Sequence, residues 1–460
     1  MTTMALNATG GFLRRIALLL AGTFGTAGLA FITHLLLTRA MSLSDYGRIV
    51  ALLAAVNLFT PITSMGMGWF WLDLFGREGR QAIRWMGRAT RLACASTAVS
   101  VLLLVTYAVA TDPQGAPHTY VVSLLLIPIL VGQALSDSTS ARLQLEERYL
   151  MLAAWQALAH LGRTLFAVIL LFWGRVEMLP LLGTYAMVGT LSMVISIISL
   201  GQTIRGNIRL VGHDTPGDSS SAARPVFATQ PAWGELLSHA LPYSLITFCF
   251  VLSHHGTVSM VAAILGSADA AIYNVAYLVY ALVCLVPNVT YVKFLSSKLL
   301  RWWHQDRRMF DAVFHVGLVA HLVMGIVCAL LLGGVAPWLL PLVFGERYAV
   351  SSPLIMILAL GIPVRFVQHA YGSLLFSKDH IRRKLAYMSS AGVASVGLNI
   401  ALIPSLGIRG AALGAVLTEL MLLLVYMWGV AKHVEGIQVR DSFRIETLRS
   451  AFGYVRGQRS

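Results

Sequence analysis

The sequence predicts an all-α membrane protein that crosses the bilayer about twelve times, and three observations lead to this fold class. Of the 460 residues, 57% are hydrophobic and only 12% are charged, which is about half the charged fraction of an ordinary soluble chain. The apolar residues form long blocks without the alternation of barrel strands, so helices are the spanning structure that remains. The third observation is the uneven distribution of basic residues among the loops.

The apolar blocks set the number of spans. About 20 apolar residues cross a hydrocarbon core of roughly 30 Å. The first block follows Arg14 and Arg15 in the manner of a signal peptide, but eleven further blocks without a clear cleavage site favour a retained helix. The predicted spans are 16–37, 50–71, 92–110, 120–139, 150–173, 179–200, 238–264, 271–292, 313–342, 352–376, 385–404 and 410–430.

The basic residues predict the orientation. With a cytoplasmic N-terminus, 27 of the 34 Lys and Arg fall in the N-terminus, the even-numbered loops and the C-terminal tail; five fall outside and two inside spans. This bias follows the positive-inside rule, so both termini are expected in the cytoplasm. The net charge of +14 therefore reports topology. Basic residues scattered over short loops do not predict nucleic-acid binding.

A polar segment divides the chain into halves. Residues 203–235 include a Ser/Gly/Pro/Asp-rich stretch that predicts a flexible linker. The predicted domains are an N-terminal six-helix lobe (1–201), a cytoplasmic linker (202–236), a C-terminal six-helix lobe (237–432) and a basic, amphipathic cytoplasmic tail (433–460). A plain soluble tail is the alternative for the last segment.

The two halves show a weak internal repeat at offsets of about 227 to 235 residues, as in "SDYGRIVALLAAVNLFTP" and "DAAIYNVAYLVYALVCLVP". Six spans per half give both halves the same orientation, related by an axis along the membrane normal. We therefore expect pseudo-two-fold symmetry around a central cavity, an arrangement typical of a transporter.

Four stretches resemble the oligosaccharide-lipid flippase branch (Wzx-like) of the multidrug/oligosaccharidyl-lipid/polysaccharide exporter (MOP) superfamily. "LTRAMSLSDYGRIVAL" resembles the family's R-x-L-s-x-x-d-y-G pattern after the first span, and "ALPYSLITFCFVLSHHGTVSMVAAILGSADAAIYNVAYLV" resembles its seventh and eighth spans. "LLPLVFGERYAVSSPLIMILAL" and "GLNIALIPSLGIRGAALGAVLTE" resemble two later junctions. The four occur in the family's order and spacing over roughly 16–430. One departure is "SHHGTV", where relatives often place an acidic or basic pair.

The resemblance implies a function and a location. It implies that an undecaprenyl-diphosphate-linked oligosaccharide is flipped from the cytoplasmic to the periplasmic leaflet of the bacterial inner membrane, for O-antigen, lipopolysaccharide or exopolysaccharide synthesis. Expected partners are this lipid-linked oligosaccharide, membrane lipids, a polysaccharide polymerase and a chain-length regulator. The alternatives are a cation-coupled multidrug exporter of the same superfamily and a membrane enzyme of polysaccharide assembly. Outer loops no longer than roughly a dozen residues disfavour the enzyme.

Two arginines inside spans are the main candidate site residues. A charge at the centre of a bilayer costs at least about 2.5–3.5 kcal/mol, so Arg163 and Arg365 need a partner, a hydrated cavity or a function. His160 lies three residues before Arg163 and His369 four residues after Arg365, each on the face of its arginine. We interpret both pairs as cavity-lining groups that bind the diphosphate. The alternative is that each arginine pairs with an acid and holds helices together.

Other polar residues in the spans are secondary candidates. His34, His254 and His255 are assigned to substrate binding, with an interhelical hydrogen bond as the alternative for each. Glu419 is the acid closest to mid-span and is the candidate for ion coupling, or for neutralising one arginine. Asn57, Asn274 and Asn399 are predicted to form interhelical hydrogen bonds, with sugar binding as the alternative.

Neither a cofactor nor a metal is expected. The sequence contains no nucleotide-binding P-loop, and its histidines and four cysteines show no metal-ligand spacing. The cysteines, all within predicted spans, are interpreted as small packing residues.

Overall fold

The computed structural model describes residues 22–111, 118–174, 176–210, 230–288, 307–374 and 381–433. The regular secondary structure of these ranges is helical throughout. Among the described residues nine helices are long and apolar enough to cross a membrane, or ten if one bent pair is a single span. One of the nine, Leu43–Thr111, is a 69-residue stretch that contains both the second and the third predicted span. The predicted all-α, polytopic membrane fold is confirmed.

The chain forms two compact units that divide between Val251 and Leu252. The N-terminal unit contains α1 (22–40), α2 (Leu43–Ser64), α3 (Met67–Glu78), α4 (Ile83–Thr111), α5 (His118–Leu145), α6 (Tyr149–Phe172), α7 (Met178–Ile204) and most of α8 (Trp233–His254). In this unit α5 and α7 pack backbone against backbone, because a Cβ on Gly132 would lie 2.2 Å from the Gly189 carbonyl oxygen. Small residues allow this close approach in membranes.

The C-terminal unit contains α9 (Gly256–Ile264), α10 (Ser267–Val283), α11 (Arg307–Phe344), α12 (Ser352–Ala359), α13 (Gly361–Leu374), α14 (Ile381–Leu406) and α15 (Ile408–His433). Helices α14 and α15 meet at Gly410, where a Cβ would lie 1.9 Å from the Leu402 carbonyl oxygen. No side chain fits there, so Gly410 permits the tight turn between the two helices.

The predictions for Asn57 and Asn399 are confirmed, whereas the one for Asn274 stays a prediction. Gln133 Nε2 on α5 donates to Asn57 Oδ1 on α2 at 2.8 Å. In the C-terminal unit Asn399 Nδ2 on α14 donates to Thr257 Oγ1 on α9 at 3.2 Å and to the Ser395 carbonyl at 2.8 Å. Each amide therefore joins two helices.

Three spans that the sequence predicts as continuous, 50–71, 238–264 and 352–376, are broken. The first breaks at Met65 and Gly66, both left-handed with φ of 47° and 65°. The second breaks at His255, between α8 and α9. The third bends by 43° at Leu360. Pro363 explains this bend, because it has no N–H to donate to the carbonyl of Ala359, the last residue of α12.

Some predictions fall on other parts of the chain. Residues 211–229 of the predicted linker and 434–460 of the predicted tail lie outside the described residues. The domain boundaries and the amphipathic tail therefore stay predictions.

Candidate functional site

The predicted site residues gather in two clusters, one in each unit. The N-terminal cluster consists of His34, Tyr46, His160, Arg163 and Tyr185. It is built on α1, α2, α6 and α7, which belong to one unit.

A hydrogen bond joins helices α1 and α6 at residues adjacent to His34 and Arg163. The hydroxyls of Thr33 and Thr164 lie 2.7 Å apart, and the Thr164 hydroxyl also approaches the Leu29 carbonyl at 3.3 Å. Thr33 precedes His34 and Thr164 follows Arg163, so this contact lies beside both residues, whose side chains are within electrostatic range of each other. His160, one turn before Arg163, lies within electrostatic range of both.

Arg163 has no acidic partner among the described residues: its guanidinium makes no ion pair within 4.0 Å there. Its carbon Cζ lies 5.2 Å from the centre of the Tyr185 ring, close enough for a cation–π interaction. Its Nε is buried and has no hydrogen-bond partner in the described part of the chain. A permanent cation is therefore held by an aromatic face with donor capacity left over.

His34 contacts a tyrosine of α2. Its Nδ1 lies 3.0 Å from the Tyr46 hydroxyl, and the two rings meet edge to face with centres 6.0 Å apart. Tyr46 is completely buried and His34 is half-buried. The cluster thus offers N–H donors and positive charge with no carboxylate among its five residues, a composition suited to an anion such as phosphate.

The C-terminal cluster consists of His254, Tyr277, Tyr280, Arg365 and Glu419. Arg365 Nη1 donates to Glu419 Oε1 at 2.8 Å, and His254 Nε2 lies 3.0 Å from the same oxygen. The three side chains come from α13, α15 and the end of α8, and all are buried. Arg365 and Glu419 neutralise each other, so this arginine has the acidic partner that Arg163 lacks.

Two helix breaks adjoin the C-terminal cluster. His254 is the last residue of α8, directly before the break at His255, and Arg365 lies five residues after the bend at Leu360. Broken helices in transporters commonly place polar groups near the middle of the membrane. Here those groups are an ion pair joining the two broken segments to α15.

Aromatic rings complete the C-terminal cluster. The guanidinium carbon of Arg365 lies 5.8 Å from the centre of the Tyr280 ring, and the His255 and Tyr277 rings meet edge to face at 6.2 Å. His369, one turn after Arg365, is half-buried and within electrostatic range of Glu419.

The structure therefore brings His34, His160 and Arg163 together in one unit. It places His254, Arg365 and Glu419 in direct contact in the other, with His255 and His369 beside them. Their roles in binding and coupling stay predictions.

Sequence reasoning did not single out four tyrosines of the two clusters: Tyr46, Tyr185, Tyr277 and Tyr280. Two of these lie in stretches that resemble motifs of the flippase family: Tyr46 in "LSDYG" and Tyr277 in "IYNVAYLV". Tyr185 and Tyr280 lie outside those stretches.

Solved structures with this fold are membrane transporters. The lipid II flippase MurJ in an inward closed conformation superposes with a TM-score of 0.67 at 11% identity, covering 95% of this chain and 91% of that chain. The MATE multidrug transporter DinF-BH gives a TM-score of 0.65 at 12% identity, covering 91% and 94%. A MOP superfamily transporter from Pyrococcus furiosus gives 0.55 at 12% identity, also covering 91% and 94%. These similarities show that the chain has the fold of these transporters.

A family model identifies the family to which the chain belongs. The model described as polysaccharide biosynthesis protein matches residues 12–294, which is more than half of the chain. The chain belongs to the polysaccharide biosynthesis protein family. No curated protein matches it.

Proposed function

We propose that the protein is a flippase that moves an undecaprenyl-diphosphate-linked oligosaccharide from the cytoplasmic to the periplasmic leaflet of the bacterial inner membrane, by alternating access. Membership of the polysaccharide biosynthesis family supports the substrate class, and the MOP fold supports membrane transport. The observation that carries the proposal is Arg163, a guanidinium in the middle of α6 with an aromatic face, two histidines nearby and no acidic partner among the described residues.

The substrate's chemistry fits this cluster. A polyisoprenyl diphosphate presents two phosphates that must cross roughly 30 Å of hydrocarbon. A guanidinium stays charged and can hold two phosphate oxygens at once. Histidines are weaker donors, and a site of moderate strength releases its ligand at the other leaflet. The flipped oligosaccharides are used in surface or exopolysaccharide synthesis, and a polymerase and a chain-length regulator are the expected partners.

Replacement of Arg163 tests the proposal. Arg163→Ala should leave protein level and thermal stability close to wild type, strongly reduce surface glycan, and weaken binding of undecaprenyl diphosphate to the purified protein. Arg163→Lys should recover part of both activities, because Lys keeps the charge but not the fork. Arg91→Ala is the matched control, since Arg91 is exposed on α4. An Arg163→Ala protein that exports glycan and binds the lipid like wild type would refute the proposal.

The orientation has its own test. Because 27 of 34 basic residues fall on one side of the predicted topology, reporter fusions at Pro113 and Asp218 should report periplasm and cytoplasm, respectively. The reverse pattern would refute cytoplasmic termini.

A cation-coupled drug exporter is the competing transporter function. An organic cation needs an acidic or electron-rich site, whereas the N-terminal cluster carries positive charge and the Glu419 carboxylate is already held by Arg365 and His254. Efflux of a cationic dye that is unchanged by Arg163→Ala, together with normal glycan export, would favour the exporter.

A further inference from the structure

Tyr46 lies in the most specific part of the sequence motif, "LSDYG", and the proposed function so far gives it no role. It is completely buried, and its hydroxyl lies 3.0 Å from Nδ1 of His34. Helix α2 begins at Leu43, with only two residues between it and the end of α1. The short connection keeps Tyr46 close in sequence to His34, and their side chains are in contact.

This contact engages Nδ1 of His34 and leaves Nε2 as the other ring nitrogen. A neutral imidazole has one N–H donor and one acceptor nitrogen, and the Tyr46 hydroxyl can donate to Nδ1 or accept from it. A second positive charge beside the Arg163 guanidinium is electrostatically unfavourable, so we consider the neutral ring. When the Tyr46 hydroxyl donates to Nδ1, the proton resides on Nε2, and Nε2–H becomes a donor on the side of the ring away from Tyr46.

That donor is available to a ligand. The contact with Tyr46 is the one hydrogen bond that His34 makes among the described residues. Arg163 on α6 lies within electrostatic range of His34, beside the Thr33–Thr164 contact. An anion bound by the guanidinium would thus meet a second donor from α1.

We infer that His34 Nε2–H is a phosphate donor of the anion site and that Tyr46 is the positioning residue that fixes the imidazole tautomer. This inference rests on the proposed function, because it assigns a second arm to the site that Arg163 defines. Tyr46 itself touches no substrate and acts through His34.

The test measures binding of inorganic diphosphate to the purified, detergent-solubilised full-length protein, followed by surface glycan in cells. Tyr46→Phe removes one oxygen and keeps the buried ring, so the protein should fold with nearly unchanged thermal stability. Diphosphate affinity should fall about fivefold, the change that corresponds to a net hydrogen bond of roughly 1 kcal/mol. Tyr120→Phe, an exposed tyrosine on α5, is the matched control and should bind like wild type.

A double-mutant cycle separates this role from simple packing. If Tyr46 acts through His34, Tyr46→Phe should have no further effect on affinity in a His34→Ala background. A packing role would weaken binding by the same factor in both backgrounds, and that result would overturn the inference.

The two amide replacements of His34 provide a second readout. His34→Gln places an amide N–H₂ near the position of Nε2 and does not depend on a tautomer, so it should retain more binding than His34→Asn. Binding by His34→Gln should also be insensitive to Tyr46→Phe. Equal losses for Gln and Asn would contradict the assignment of Nε2.

The outcomes distinguish the two proposals. Diphosphate binding that depends on Arg163 but not on His34 or Tyr46 would overturn the inference and leave the proposed function standing. Wild-type protein that binds no diphosphate, or that binds it independently of Arg163, would overturn both.

Discussion

The two clusters place an arginine in the middle of the apolar sequence of each unit, but they balance its charge differently. Arg365 donates to Glu419 at 2.8 Å, with His254 on the same carboxylate oxygen. Arg163 lies on the face of Tyr185 beside two histidines, without an acid among the described residues. A buried ion pair satisfies its own charges and holds helices in register. An unbalanced cation remains able to attract an anion, so we propose a contact between helices for Arg365 and ligand binding for Arg163.

This contrast revises the symmetric interpretation of the sequence, in which both arginines lined a cavity and bound the diphosphate. The pairing with Glu419 supports the alternative for Arg365, a contact between helices. The same pairing also occupies the Glu419 carboxylate, the group predicted to couple transport to an ion.

The largest expected effect follows from breaking the ion pair. Glu419→Leu leaves Arg365 buried without its counter-charge, which should lower the free energy of unfolding by about 3–5 kcal/mol. The double variant Arg365→Met/Glu419→Leu removes both charges and should regain most of this loss. Thermal and denaturant unfolding in detergent measure both. A Glu419→Leu protein as stable as wild type would show that the pair does not hold the fold.

The next effect comes from giving the N-terminal cluster the acid that it lacks. His160→Glu places a carboxylate three residues before Arg163 on the same helical face. The new pair should lower diphosphate affinity and glycan export by roughly tenfold or more, while stability stays equal or rises. His160→Gln controls for loss of the imidazole. Normal export by His160→Glu would show that an unpaired Arg163 is not required.

A smaller effect concerns the aromatic support of each arginine. Tyr185→Leu should weaken diphosphate binding by about two- to fivefold, since a cation–π contact at a partly exposed site is worth roughly 0.5–1 kcal/mol. Tyr185→Phe keeps the ring face and should bind like wild type. Tyr280→Leu removes the corresponding ring at Arg365 and should leave diphosphate binding unchanged, because Glu419 still holds that guanidinium. Equal effects of the two Leu variants on binding would contradict the proposed difference between the clusters.

Much of the helical architecture could be predicted because it depends on one-dimensional properties of the chain. Apolar length marks the spans, and all twelve predicted spans overlap helical residues of the structure. The breaks at Met65 and His255 were not predicted. A helix break depends on how the freed carbonyl and N–H groups are satisfied by neighbouring helices. At Gly66 the neighbour is the backbone of Ser244, 2.5 Å from a hypothetical Cβ and 178 residues away in sequence.

The charged members of the candidate site could be predicted, but not which arginine pairs with Glu419. A charge in an apolar block stands out in the sequence, which is why Arg163, Arg365 and Glu419 were all identified. The partner of each depends on which helices pack together. Arg365 and Glu419 are 54 residues apart, and spacing contains no information on that contact. In the sequence, Tyr185 and Tyr280 cannot be distinguished from ordinary interfacial or core aromatic residues. Only the structure shows that each ring contacts an arginine.

The smallest expected effects come from neutral hydrogen bonds, and they test whether charge alone separates the two clusters. Thr164 on α6 contacts Thr33 on α1 at 2.7 Å, and Thr257 on α9 accepts from Asn399 on α14 at 3.2 Å. Bonds of this kind in membranes contribute about 0.6 kcal/mol on average, because each partner keeps an alternative: Thr33 also donates to its own Leu29 carbonyl and Asn399 to that of Ser395. Thr164→Val and Thr257→Val should therefore reduce unfolding free energy by similar, small amounts and change diphosphate affinity by less than about twofold. If Thr164→Val instead abolished binding while Thr257→Val was silent, helix register would separate the two units as strongly as charge does.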